Sequence, residues 1–158
     1  MAFVLSSPAF TKGEEIPSRY TSDGANVSPP LQWSGAPAET EKFVLIMGDL
    51  DAPACPARQW GLYDVMPERT MLPEAEPMGH CINDFGHPHY DGPAPPDSDG
   101  LHRYLFSIAA LDIAAPLPIS KERITDLGNV ARPHIIAATA LVGTYAGRRR
   151  SSPRSHTP

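Results

Sequence analysis

Two short stretches of this sequence carry side chains whose types and spacing could do chemistry. The first is Asp49-Leu50-Asp51-Ala52-Pro53, directly after an apolar run. Carboxylates two apart on an extended chain share one side, and a strand end sets them at the rim of a core. The second runs from Tyr90 through Gly92, Pro93, Pro95, Pro96 and Gly100 to His102 and Tyr104. Glycine lets a backbone N–H approach a ligand, and proline fixes a loop while leaving its carbonyls outside any ladder. His102 and Tyr104, two apart at the head of a strand, project to one face and offer an imidazole and a phenol as hydrogen-bond donors. Each stretch alone also has a plain structural reading: Asx turns at a strand exit for the acids, a satisfied strand-end pair for His102 and Tyr104.

The elements that must position these groups are short. Lys42 to Met47 holds Phe43, Val44, Leu45 and Ile46 in succession, the pattern of a strand buried on both faces. Trp60 to Val65 is a second strand. Arg103 to Ala109 alternates, with Tyr104, Phe106 and Ile108 on one face and Arg103, Leu105 and Ser107 on the other. The first forty residues read as turns and short strands, with Ser28 to Trp33 extended. Glu68 to Gly100 holds six prolines and four glycines, which predicts a long irregular stretch, and its aromatics and histidines mark it as functional. Ser120 is a candidate N-cap for a helical turn or two through Leu127, and Pro133 opens a second short helix from His134 to about Thr139. Ala140 to Tyr145 closes the domain as a strand. Strands first and little helix late suit an antiparallel sandwich rather than βαβ units.

Composition agrees. Nineteen of 158 residues are proline, about twice the usual share, so elements must be short and loops rigid. A chain of this length buries one sizeable core without staples. The net charge of −5 argues against nucleic acid as a main partner. Two cysteines, Cys55 and Cys81, make neither a disulfide framework nor a zinc-ribbon spacing. The N-terminus lacks a basic, apolar secretory pattern and no run reaches membrane-span length, so the expectation is a cytoplasmic protein with reduced thiols.

Together the two stretches resemble the signature regions of the phosphatidylethanolamine-binding proteins, also called Raf-kinase-inhibitor-like proteins. The family's Asp-Pro-Asp-Ala-Pro is here Asp49-Leu50-Asp51-Ala52-Pro53, and its Tyr-x-Gly-Pro-x-Pro-Pro…Gly-x-His-x-Tyr-x-Phe is met by Tyr90, Gly92, Pro93, Pro95, Pro96, Gly100, His102, Tyr104 and Phe106. Ser7 to Phe10, Asn26 to Trp33, Asn83 to Gly86 and Leu141 to Tyr145 resemble the bacterial branch, so the likeness covers nearly everything up to Tyr145. The resemblance implies a mainly β fold, a sandwich of two antiparallel sheets with a few short peripheral helices. It also implies a small pocket for a phosphate-like anion or phospholipid headgroup, without cofactor or metal, in a protein that binds rather than catalyses and that regulates or inhibits a kinase or protease.

By the same likeness Asp49, Gly92, His102 and Tyr104 line the pocket, Pro53 and Pro93 shape its walls, and Asp51 and Gln59 belong to the site. An imidazolium at His102, the Gly92 N–H and the Tyr104 hydroxyl would donate to the anion. Asp49 would orient the imidazole and keep it protonated, since a nearby carboxylate raises a histidine's pKa; it would not touch the anion, which it would repel. The family pattern has a second histidine where Gln59 stands here, so a weaker or less pH-dependent site is expected. Leu50 replaces the usual proline. Two rival readings use the same region. One is a metal site from His80, Cys81, His87 and His89, although their spacing matches no standard zinc motif. The other is a hydrolase with His102 as acid–base, although no Gly-x-Ser-x-Gly elbow occurs. Residues 1–147 read as one domain and 148–158 as a basic tail, in which Arg148, Arg149 and Arg150 could touch anionic membrane headgroups. Exposed sheet edges make a homodimer plausible.

Overall fold

A computed structural model describes residues 2–53, 57–77, 79–119 and 122–147. Among these residues, seven strands and one α-helix follow in the order β1 (Val4–Ser6), β2 (Leu31–Ser34), β3 (Lys42–Asp49), β4 (Ala57–Val65), β5 (Met71–Leu72), β6 (Leu101–Leu111), α1 (Ile124–Ala131) and β7 (Ile135–Ala146). They form a three-stranded sheet, β1-β2-β5, and a four-stranded sheet, β4-β3-β6-β7, and the pairing is antiparallel throughout both. This is the expected sandwich with little helix.

The continuous apolar run at β3 is explained by its central place between β4 and β6. Phe43, Leu45 and Met47 pack toward Leu5, Leu31, Trp33 and Leu72 of the small sheet. Val44, with Ile46 packed beside it, faces Leu111, Leu117, Ile124, Leu127 and Ala131, so α1 covers the opposite side. Each face of the strand therefore has its own apolar layer. In β6 the alternation follows the predicted split: Tyr104, Phe106 and Ile108 are buried, whereas Arg103 is exposed and Leu105 and Ser107 are half-buried.

The C-terminal region departs from expectation. No helix runs from His134 to Thr139; β7 begins at Ile135 and pairs with β6 along its whole length, Ala138 opposite Ala109 and Thr139 opposite Ile108. Pro133 sits in a short 3-10 turn, Arg132–His134, that ends the helical segment. The alanines at 137, 138 and 140 favour helix locally, but a ladder beside a buried central strand outweighs that preference. The helix itself starts later and runs further than predicted, from Ile124 to Ala131, with Arg123 preceding it and no side-chain cap. Ser120 and the tail residues Arg148, Arg149 and Arg150 lie outside the described residues.

Lys42, at the start of β3, has its side chain only 5% exposed and donates to Asp64 Oδ1 at 2.8 Å and to the Ala115 carbonyl at 2.6 Å. Asp64 itself holds a left-handed backbone, φ +51°, so the contact fixes an unusual turn as well as a charge. Replacing Lys42 by Met strands both acceptors. Urea denaturation of Lys42→Met is expected to show a loss of about 1–3 kcal/mol, the scale of a hydrogen bond to a charged group.

Candidate functional site

Asp49 ends β3 opposite Tyr104 of β6, which makes His102 its diagonal neighbour across the strand pair. The two side chains meet: His102 Nδ1 lies 2.7 Å from Asp49 Oδ2, with the side chains 4% and 7% exposed. Asp49 Oδ1 accepts the Asp51 backbone N–H at 2.9 Å. One carboxylate thus closes the turn after β3 and orients the imidazole. The second ring nitrogen, Nε2, faces Asp99 Oδ2 at 3.3 Å, from a 3-10 turn at Asp97–Asp99. Gly100 links that turn to β6 at φ +70°, a backbone favouring glycine, and so sets Asp99 over the ring.

Burial works against a charged imidazole here, but hydrogen bonds and charge from Asp49 and then Asp99 outweigh it, holding His102 above its ordinary 6.5. The surroundings of His102 thus favour the charged form of a ring that bridges two carboxylates. It opens onto a cavity of about 330 Å3 lined by Asp49, Gln59, His102 and a largely apolar wall that includes Pro53, Phe85 and Pro95.

Of the sequence-predicted site residues, Asp49, Pro53, Gln59 and His102 line this cavity. Asp51 points elsewhere, to Arg103, whose guanidinium bonds it at 2.9 and 3.0 Å and whose backbone N–H bonds it at 2.7 Å. Those bonds hold the Asp51 carboxyl down at about 2. Tyr104 is fully buried and its hydroxyl has no hydrogen-bond partner; the ring lies 6.4 Å from that of His102, outside the cavity lining. Burial first, then the nearby Asp49 charge, pushes its pKa well above the ordinary value and keeps the phenol protonated.

Gly92 corrects the sequence reading. Its N–H is spent on Asn26 Oδ1 at 2.8 Å, and its carbonyl accepts Gln59 Nε2 at 3.0 Å. A Cβ at Gly92 would fall 2.3 Å from the Tyr20 carbonyl oxygen and 2.6 Å from Asn26 Oδ1. The glycine is there so that two loops can touch, not so that a ligand can. Pro93 is buried and its carbonyl accepts Ser22 N and Oγ, while the wall is made one step on, by Ala94, Pro95 and Pro96. Gln59 also donates to the Asp91 carbonyl at 2.9 Å, so its amide anchors the loop. Asp99 and Phe85 were missed. An acid three residues before the site histidine was visible in the sequence, but nothing there told that it would turn back onto the ring.

The rival metal set does not converge. His80 accepts from Trp60 Nε1 at 3.0 Å through Nδ1, which leaves Nε2 to donate to the Glu76 carbonyl at 2.6 Å. That is a neutral structural histidine. Cys81 is buried and burial pushes its thiol up to about 12. Neither groups with His87 and His89.

A family model described as phosphatidylethanolamine-binding protein matches residues 6–146. A UPF0098 protein of Aquifex aeolicus is 38% identical over 148 residues, covering 88% of this chain and 85% of the relative. One from Methanothermobacter thermautotrophicus is 38% identical over 151 residues, covering 89% and 97%. Among solved structures, a phosphatidylethanolamine-binding protein homologue from Chlamydia trachomatis superposes with a TM-score of 0.84 at 34% identity, covering 93% of this chain and 99% of that one. YbcL of E. coli, described as a member of the mammalian family, gives 0.84 at 26% identity, covering 94% and 100%.

Two outcomes follow from the geometry. Gly92→Ala is expected to cost about 1–3 kcal/mol in urea denaturation, because the clash is with backbone rather than a yielding side chain. A histidine whose folded pKa is raised stabilises fully below its unfolded pKa, and that contribution fades as pH climbs through the folded value. Unfolding free energy should therefore fall from about pH 6 upward, and the fall should be shallower in His102→Gln. Equal slopes in the two proteins would mean that the imidazole is not held charged.

Proposed function

This chain belongs to the phosphatidylethanolamine-binding protein family, and we propose that its rim cavity binds the phosphate group of a small ligand, with His102 as the charged donor. The observation that carries the reading is a buried imidazole, flanked by two carboxylates, at the wall of a largely apolar cavity. A charge-assisted hydrogen bond in such surroundings is worth more than in water. The volume stands at the low end for small-molecule sites, which suits a phosphate or a headgroup and leaves no room for acyl chains.

Asp99 sets the terms of binding. Its carboxylate already occupies Nε2, where a phosphate oxygen would sit, and its side chain is 38% exposed, so it can rotate into water. The incoming anion exchanges places with a native one. Asp49, deeper and tied to the Asp51 backbone, stays and keeps the ring charged. With Gln59 committed to the loop, one cation faces the ligand, and a modest affinity follows.

Binding rather than catalysis is favoured by the lining itself. Among the described residues it has no serine, threonine or cysteine to act as a nucleophile, and the nearby phenol, Tyr104, is buried and held protonated. No helix among the described residues is long and apolar enough to cross a membrane. Any phospholipid would meet the site through its headgroup.

Calorimetric titration with inorganic phosphate and with phosphoethanolamine tests this. His102→Gln should weaken both by about tenfold or more, the worth of one hydrogen bond to a charged group. Asp99→Asn should tighten inorganic phosphate several-fold by removing the competitor. It should help phosphoethanolamine less, since the ammonium loses an acidic partner. Wild-type affinity in His102→Gln would sink the proposal.

A further inference from the structure

Outside the cavity, the loop between β5 and β6 brings together His87, His89 and Asp91, alternate residues of one segment. Each offers a ligand atom, and the three atoms lie within 4.8 Å of one another. His87 Nδ1 is 2.8 Å from Asp91 Oδ2, and His89 Nδ1 is 3.9 Å from Asp91 Oδ1. The imidazole rings stack at 5.0 Å between centroids and 19° between planes. None of the three lines the cavity around His102.

We propose that His87, His89 and Asp91 form a binding site for a borderline divalent transition-metal ion, with Zn2+ as the representative. Two imidazoles and a carboxylate are a donor set that such ions favour over Mg2+ or Ca2+, which take oxygen ligands. Bonds of 2.0–2.1 Å to a tetrahedral ion place donors about 3.3 Å apart, so closure needs shifts of roughly 1 Å. The histidine side chains, 51% and 58% exposed, have that freedom, and water completes the coordination.

The carboxylate is held in place from behind. Asn83 Nδ2 donates to Asp91 Oδ2 at 2.6 Å and to the carbonyls of Gln59 and His89, while its Oδ1 accepts the N–H groups of Phe85 and His87. One amide therefore fixes the backbone of both histidines and the acid. Asp91 is further pinned to β4 by its N–H to the Gln59 carbonyl at 3.2 Å. Such an outer partner is what orients a metal-binding carboxylate.

Calorimetric titration of the full chain with Zn2+ at about pH 7.5 tests the assignment, since metal binding requires an unprotonated ring nitrogen as ligand. One equivalent should bind with a micromolar dissociation constant. His89→Ala and His87→Ala should each weaken it by about tenfold or more, the scale for losing a partner at such sites. His134→Ala, at a half-buried histidine beside Asp112 in the turn before β7, should change nothing. The His89 ring makes one hydrogen bond, to the neighbouring Tyr90 carbonyl, so its removal leaves the fold intact. Asp91→Asn, read alongside its circular dichroism, supplies the third ligand's effect. Absence of saturable binding at micromolar Zn2+, or undiminished binding in His89→Ala, overturns the proposal. Neither result bears on phosphate binding at His102.

Discussion

The candidate site depends on an imidazole taken out of water between two acids that favour its charged form. Burying an ion costs several kcal/mol unless it is paired and its hydrogen-bonding positions are filled. His102 meets both conditions through Asp49 on one nitrogen and Asp99 on the other. The two acids differ in depth, and that difference gives the pair distinct roles. The buried one cannot leave without stranding the cation, whereas the half-exposed one can exchange its bond for water. The candidate site thus has one fixed counter-ion and one removable one.

Around that charge the loops are tied by side-chain amides rather than by ladders. Gln59 holds the carbonyls of Asp91 and Gly92, Asn26 accepts the Gly92 N–H, and Asn83 spans from Phe85 to Asp91. Proline-rich backbone has carbonyls to satisfy and few N–H groups to do it with. Amide side chains supply the missing donors. Tyr90 contributes likewise, its buried hydroxyl donating to the Tyr20 carbonyl at 2.7 Å. The irregular stretch is thus as specified as a sheet, by a different means.

What could be read in the sequence divides along these lines. The strands β3 and β6 and their faces were legible because apolar periodicity reports burial directly. The Asp49 and His102 stretches were legible as motifs. Their geometry was only partly so. Gly92 was read as a ligand donor because glycine signals close approach, but sequence does not say approach to what. Asp51 was placed with Asp49 by strand alternation, yet the turn begins at that point and sends it to Arg103. Asp99 escaped because its contact depends on the φ of Gly100. At β7, Pro133 pointed to a helix from His134 where long-range pairing decided otherwise.

Strand β3 is apolar on both faces, and this has a price in specificity. Ordinarily a slip of one residue exposes a strand's greasy side and is rejected on that ground alone. Here a slipped β3 would trade Phe43, Leu45 and Met47 for Val44 and Ile46, hydrophobic either way. Alignment must come from elsewhere, and the strand carries a polar clasp at each end: Lys42 with Asp64, and Asp49 with His102. A shifted chain would unfasten both at once. The pair at the heart of the candidate site is, on this view, also one of two fasteners that tell the central strand where to stop.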